Sequence, residues 1–169
     1  MEASDQIVRA HHQPAATMWG RGGRNYDEVS FAISDALAHA AQRLNARDGE
    51  RIIDVATGTG WSARNVARRG AVVTAVDISP ELLAAAADLS GHSRPPIEFR
   101  LGDAERLRFG DGAFNGVIST FGVMFAIDQS AAVPSSGVCA VPAAAWCWPL
   151  GRRKEPWPNS SGSLAGTAT

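Results

Sequence analysis

The chain has 169 residues, of which 45% are apolar and 20% charged, and its formal net charge is −1 at pH 7. This length and composition are typical of one modest globular domain. The near-neutral charge gives no electrostatic reason to expect a nucleic acid as partner. No apolar run approaches the roughly 18–20 residues that a membrane span needs, and the polar N-terminus does not resemble a secretory signal. We therefore expect a cytoplasmic protein without a membrane span.

The first part of the chain divides into an irregular segment and one helix. Residues 1–25 show no periodic pattern. From Tyr26 to Leu44 apolar residues recur at helical spacing, which predicts one amphipathic helix with Asn25 or Asp27 as its N-cap.

Strand and helix signals alternate from residue 51 to residue 120. Buried strands are predicted at "RIIDV", "AVVTAVD", "PIEFRL" and "NGVIST", and helices at "WSARNVARR" and "SPELLAAAADLS". The second helix has Ser79 in the N-cap position and Pro80 at its first turn. Such alternation indicates an α/β fold with a parallel, Rossmann-like sheet, for which we predict the strand order 3-2-1-4.

A glycine loop stands between two aspartates. "GTGWSA", Gly58 to Ala63, fits the pattern G-x-G-x-x-A, which alone is weak because a tight turn without a ligand fits it too. Asp54 precedes the loop and Asp77 ends the next strand. A nicotinamide dehydrogenase binds an anionic pyrophosphate at such a loop, where the charge of Asp54 would be unfavourable. A cationic cofactor would instead be attracted.

"IIDVATGTG" resembles motif I of the class I S-adenosylmethionine-dependent methyltransferases. The resemblance implies that S-adenosyl-L-methionine is the cofactor and that Asp54 braces the loop near its cationic end. It also implies that Asp77, followed by Ile78, holds the ribose. The loop residues implied in cofactor binding are Ala56, Thr57, Gly58, Thr59 and Gly60.

Two further stretches resemble the same family. In "RLGDAERLRF", Asp103 and Ala104 match the adenine site, although a plain loop acid would look the same. "FNGVISTFGVMFA" resembles motif IV, with Ser119 where the fourth strand offers a backbone carbonyl to the methionine amine; Asn115 stands where the family usually has an acid. Trp19 and Tyr26 are candidates for an aromatic cover over the cofactor, with ordinary packing as the alternative.

The remaining chemistry-bearing residues predict little. His11 and His12 are adjacent, but no acidic or thiolate residue is spaced to join them, so we predict no metal site. Cys139 and Cys147 form neither a disulfide framework nor a C-x-x-C motif.

The resemblance covers residues 18–128 and then stops. The family has a seven-stranded sheet, of which this chain supplies four strands. Residues 129–151 contain no charged residue, and we interpret the change near residues 128–134 as a frameshift that leaves the fourth strand as an open edge. The alternative is a divergent native tail in which "AAAWCWPL" pairs beside the fourth strand and buries Trp146 and Trp148.

The predicted organisation is an N-terminal segment (1–25), a partial cofactor-binding domain (26–128) and an irregular, disordered or out-of-frame tail (129–169). The resemblance implies methyl transfer to a small molecule, as in ubiquinone and menaquinone biosynthesis. A non-catalytic remnant that binds cofactor weakly or not at all is one alternative, and a nicotinamide oxidoreductase is another. No catalytic base can be named from the sequence.

Overall fold

The structure is a computed structural model that describes residues 7–110, 112–128, 131–132 and, for the backbone only, 145–149. It contains a sheet in the order β3-β2-β1-β4-β5. The strands are β1 (Arg51–Val55), β2 (Val72–Asp77), β3 (Glu98–Leu101), β4 (Gly116–Thr120) and β5 (Ala145–Pro149), and the helices are α1 (Gln13–Gly20), α2 (Tyr26–Ala32), α3 (Ser34–Leu44), α4 (Trp61–Ala67) and α5 (Pro80–Leu89). None of these helices is long and apolar enough to cross a membrane.

The first four strands confirm the predicted parallel sheet. β1 pairs in parallel with both β2 and β4, and β2 pairs in parallel with β3. This is the predicted order 3-2-1-4, and it places the carboxyl ends of β1 and β2, with their two aspartates, next to each other. Ser79 caps α5 as predicted, because its hydroxyl accepts a hydrogen bond from Leu82 N at 3.2 Å.

The central strands are buried on both faces, which explains their continuous apolar sequences. On one face Ile52, Val73 and Ile118 pack with the buried residues of α3 and α4. On the other face Ile53 and Val117 pack with residues that follow β3 and β4. Neighbouring residues of one strand thus enter opposite cores, as the two-residue period of a strand requires.

The N-terminal region differs from the prediction. Residues 10–25, which show no pattern in the sequence, form α1 flanked by two short 3-10 turns. The single helix expected from Tyr26 to Leu44 is broken at Ile33, whose φ of −116° and ψ of 17° are not helical. Asn25 makes no side-chain capping bond. Asp27 instead accepts a hydrogen bond from Trp61 Nε1 at 2.7 Å, so this residue fixes α2 to α4.

The fourth strand is not an open edge. The backbone of β5 pairs antiparallel with β4, with Gly116 opposite Pro149 and Thr120 opposite Ala145. The prediction that the fourth strand is an open edge is therefore wrong, as is the prediction of an irregular backbone at 145–149. The pairing is the one expected for a native tail that lies beside the fourth strand. The side chains of Trp146 and Trp148 and most of residues 129–169 lie outside the described part, so the frameshift stays a prediction.

We predict that Ile118→Ala lowers the free energy of unfolding by about 2–5 kcal/mol, since it leaves a cavity where β4 meets the core. Ile118 has no exposed surface, whereas Ile127 is 71% exposed. Ile127→Ala makes the same chemical change at the surface and should cost less than about 0.5 kcal/mol. Urea denaturation of both variants measures the difference, and equal losses would contradict the described core.

Candidate cofactor site

The loop after β1 turns sharply through left-handed backbone. Ala56, Gly58 and Gly60 have φ values of 57°, 57° and 84°, a region that favours glycine. A Cβ on Gly60 would lie 3.3 Å from Ala86 Cβ, and one on Gly58 would lie 3.5 Å from the ring of Tyr26. The two glycines of the motif therefore permit both the turn and its close approach to neighbouring elements.

Asp77 ties this loop to the end of β2. Its Oδ2 accepts a hydrogen bond from Gly58 N at 2.8 Å, and its Oδ1 accepts one from Ser79 N at 3.0 Å. Burial raises the pKa of the carboxyl, and the Ser79 and Gly58 N–H groups oppose the rise. Each oxygen keeps an acceptor lone pair, so Asp77 can accept further hydrogen bonds from a ligand in the cavity that it lines.

Asp54 lies completely buried beneath the same loop. Its Oδ2 accepts a hydrogen bond from the Thr57 hydroxyl at 2.7 Å. Within the described residues its Oδ1 has no hydrogen-bond partner. The Ala63 N–H still favours the charged form of the carboxyl, although its geometry does not meet the criteria for a hydrogen bond. Burial raises the pKa of Asp54 to about 7, and the nearby charge of Asp77 adds to the rise. A cation near the loop would offset the electrostatic repulsion between the Asp54 and Asp77 carboxylates.

Aromatic side chains from both ends of the described chain close one side of the cavity. The rings of Trp19 and Tyr26 meet edge to face at 5.8 Å, and Trp19 lies 5.2 Å from Phe125. All three line the cavity. Burial and the Asp77 carboxylate raise the pKa of Tyr26, so its hydroxyl stays protonated at neutral pH.

The segment before α1 is anchored to the loop after β3. Asp103 Oδ2 accepts hydrogen bonds from Arg9 N and from His12 Nδ1, both at 2.9 Å. Glu105 Oε2 lies 2.9 Å from Arg9 Nη1 and 3.0 Å from His11 Nε2. Burial would raise the pKa values of both acids, but hydrogen bonds lower them: those of His12 and Arg9 N act first on Asp103, and that of Asp128 N acts first on Glu105. Asp103 and Glu105 thus lie within hydrogen-bond distance of His12 and His11, and the expectation that no acidic residue lies beside these histidines is wrong.

The last residue of β4 and the two residues after it line the cavity, whereas the role of the Ser119 backbone carbonyl stays a prediction. The Ser119 hydroxyl donates to Val55 O at 2.7 Å across the sheet and is buried there. The next three residues, Thr120, Phe121 and Gly122, line the cavity. Thr120 Oγ1 lies 2.8 Å from Ser62 Oγ, and Gly122 approaches the Ala56 side chain so closely that a Cβ would collide with it.

Most residues predicted from the sequence meet at this one cavity. The predicted residues that line it are Trp19, Tyr26, Ala56, Thr57, Gly58, Asp77, Ile78, Asp103 and Ala104. Four others, Asp54, Thr59, Gly60 and Ser119, lie behind the lining and shape it. Lining residues that the sequence did not predict include His12, Ile33, Ser62, Thr120 and Phe121. Of these, only Thr120 and Phe121 could have been inferred, since they lie at the carboxyl end of a predicted strand of a parallel sheet.

We predict that Asp54→Asn changes how stability depends on pH. The folded-state pKa of Asp54, about 7, lies above the unfolded value of about 3.9, so the folded chain binds more protons between them and loses stability as pH rises. An asparagine side chain does not titrate, so the variant does not lose stability in this way. The free energy of unfolding of the variant, relative to that of wild type, should therefore rise by about 2–4 kcal/mol between pH 5 and 8. Urea denaturation at several pH values measures this, with exposed Asp88→Asn as control. Parallel curves for Asp54→Asn and wild type would contradict it.

We predict that Gly122→Ala destabilises the chain by about 1–3 kcal/mol, because the added methyl group meets Ala56 and displaces the loop. Gly110→Ala is the matched control, since a Cβ there would meet no atom of the described residues within 4 Å. That control should be neutral or slightly stabilising. Thermal unfolding compares the two, and a neutral Gly122→Ala would show that the approach to Ala56 is not tight.

Comparison with known proteins places these features in a family. Residues 52–135 match the methyltransferase domain family. The chain is 44% identical over 117 residues to an uncharacterised protein of Mycobacterium tuberculosis, covering 67% of this chain and 42% of that protein. It is 35% identical over 123 residues to a demethylmenaquinone methyltransferase of Beutenbergia cavernae, covering 70% and 49% respectively. The chain thus spans about half the length of these curated relatives.

Solved structures share the fold. A putative S-adenosyl-L-methionine-dependent methyltransferase of Methanococcus maripaludis superposes with a TM-score of 0.59 at 21% identity, covering 67% of this chain and 55% of that one. A putative methyltransferase in complex with the Haloferax volcanii Trm112 activator gives a TM-score of 0.59 at 24% identity, with coverages of 69% and 51%. Fold, sequence relatives and the motif residues around the cavity agree, and the chain belongs to the class I S-adenosylmethionine-dependent methyltransferases.

Proposed function

We propose that the cavity binds S-adenosylmethionine and that the chain supplies the cofactor side of methyl transfer to a small molecule. The observation that carries the proposal is the pair of buried carboxylates, Asp54 and Asp77, at the glycine loop. Both have raised pKa values, and Asp54 Oδ1 has no partner among the described residues. A cationic ligand would offset the repulsion within this pair, whereas an anionic pyrophosphate would add to it.

Different lining residues would contact different parts of the cofactor. Asp77 keeps one acceptor lone pair on each oxygen, which suits the two hydroxyls of a ribose. Ile78 and Ala104 supply small apolar surface beside it, where an adenine ring would lie. Asp103 is fully buried and accepts three hydrogen bonds from the protein, so at most one lone pair remains for an adenine amino group.

The N-terminal aromatic residues would cover the bound cofactor. Trp19 and Tyr26 form a wall that packs on Phe125. The Tyr26 hydroxyl stays protonated near Asp77, so it can donate a hydrogen bond. Exclusion of water by this wall would strengthen the interaction between the loop carboxylates and a positive charge.

The chemistry that the cofactor supplies is a methyl group on a sulfonium, transferred by in-line displacement. For that reaction the residues of this chain bind and orient, and correct alignment can supply about 7–11 kcal/mol of the barrier. Two relatives carry the name demethylmenaquinone methyltransferase. Demethylmenaquinone is therefore the first acceptor to assay, by release of S-adenosylhomocysteine.

Calorimetric titration separates the proposal from its alternatives. We expect S-adenosylmethionine and S-adenosylhomocysteine to bind with one site per chain and NAD to bind weakly or not at all. Tighter binding of NAD would favour an oxidoreductase, and no binding of any of the three would favour a remnant without function. Binding without product release would limit the chain to the cofactor half of the proposal.

We predict that Asp77→Ala weakens S-adenosylhomocysteine binding by roughly 2–4 kcal/mol, or at least about 30-fold, because two charge-assisted hydrogen bonds are lost. Asp103→Ala should cost less, about 1–2 kcal/mol, since the backbone N–H groups of its loop remain. Asp88→Ala, an exposed acid away from the cavity, is the matched control. Calorimetry measures all three, with thermal unfolding to check folding, and unchanged affinity in Asp77→Ala would remove the ribose assignment.

A further inference from the structure

A cluster of imidazole and carboxylate groups lies where the N-terminal segment crosses the loop after β3. Two histidines, His11 and His12, face one carboxylate, Glu105, and their nearest ring nitrogen and oxygen atoms all lie within 4.8 Å of one another. His12 and Glu105 are buried, while 43% of the His11 side chain is exposed. The cluster is thus fixed on its inner side and reaches solvent on its outer side.

The geometry of His12 is unusual for an ion pair. Its Nε2 lies 3.1 Å from Glu105 Oε1, yet it makes no hydrogen bond to any described residue although it is buried. Two ligands of one tetrahedral zinc ion, each bonded at about 2.0–2.1 Å, lie about 3.3 Å apart with their lone pairs directed at the ion. The distance from His11 Nε2 to Glu105 Oε2, 3.0 Å, is close to the same value.

The groups behind the cluster orient it as a ligand set. His12 Nδ1 lies 2.9 Å from Asp103 Oδ2; with the ring proton on Nδ1, this contact is a hydrogen bond to Asp103 and Nε2 has a lone pair for a ligand. This carboxylate–histidine pair is the usual support of a metal-binding imidazole. Glu105 is held by Asp128 N on Oε1 at 2.7 Å and by Arg9 Nη1 on Oε2 at 2.9 Å. Oε1 keeps a lone pair for an ion, whereas Oε2 also contacts His11 Nε2.

From this arrangement we propose that His11, His12 and Glu105 bind a divalent cation of the zinc class, with Asp103 orienting His12. Imidazole nitrogen and carboxylate oxygen are ligands that Zn²⁺ accepts, and three protein ligands leave a fourth position for water. The exposed edge of His11 gives the ion a path from solvent.

A bound ion would hold the N-terminal segment, which closes one side of the cavity, against the loop after β3. His11 and His12 precede α1, which carries Trp19, whereas Glu105 follows β3 and the Asp103–Ala104 part of the lining. An ion between them would join two walls that are about 90 residues apart in sequence. This role depends on the described contacts alone and does not require that the chain transfers methyl groups.

Zinc titration of the chelator-treated full chain tests the proposal. We expect one Zn²⁺ per chain with a dissociation constant in the micromolar range or below and a rise in the thermal midpoint. Substitution by Co²⁺ should give the visible absorption of a four-coordinate ion. Absence of Zn²⁺ binding would overturn the proposal.

Matched variants locate the ion. His11→Gln, at a half-exposed position with little risk to folding, should weaken Zn²⁺ binding at least tenfold and abolish the thermal shift, and Glu105→Gln should do the same. His92→Gln removes an exposed histidine elsewhere and should bind Zn²⁺ as wild type does. If His11→Gln keeps full affinity, or if His92→Gln loses it, the ion binds outside the cluster and the assignment is wrong.

Discussion

Two carboxylates hold the loop on which the whole site depends. Asp77 accepts a hydrogen bond from the loop backbone at Gly58, and Asp54 accepts one from the Thr57 hydroxyl beneath it. The parallel pairing of β1 with β2 brings these acids together, since it places the carboxyl ends of both strands at one edge. Their burial is unfavourable for two negative charges, which is why both pKa values rise. The same arrangement that shapes the loop therefore creates an affinity for positive charge.

The N-terminal segment completes the site from a distance in sequence. Trp19 and Tyr26 form a wall beside the loop, while Arg9 and His12 fix the start of the segment to Asp103. Asp103 therefore both holds the N-terminal segment in place and lines the cavity. A residue that the family resemblance assigns to adenine is here a structural anchor as well, and its substitution affects both.

The strands and the glycine loop could be predicted because their signals are local. "RIIDV" and "NGVIST" are short apolar runs bounded by polar or glycine residues, and Ser79–Pro80 is a strong helix start. The helical turns of residues 10–25 could not be predicted, because contacts such as His12 with Asp103 stabilise them rather than periodicity. The contact of His11 with Glu105 likewise joins residues that are far apart in sequence, and no local signal marks the helix break at Ile33.

Opposite pKa shifts in two parts of the site give the chain a defined pH range of stability. Asp103 and Glu105 have lowered pKa values, so their contribution is complete above about pH 4 and is lost as pH falls through the folded values. Asp54 and Asp77 have raised pKa values, so they reduce stability progressively above about pH 4. Without a ligand these four groups favour mildly acidic conditions. A cation bound at the loop favours the charged form of Asp54 and Asp77, and it therefore moves the stable range towards neutral pH.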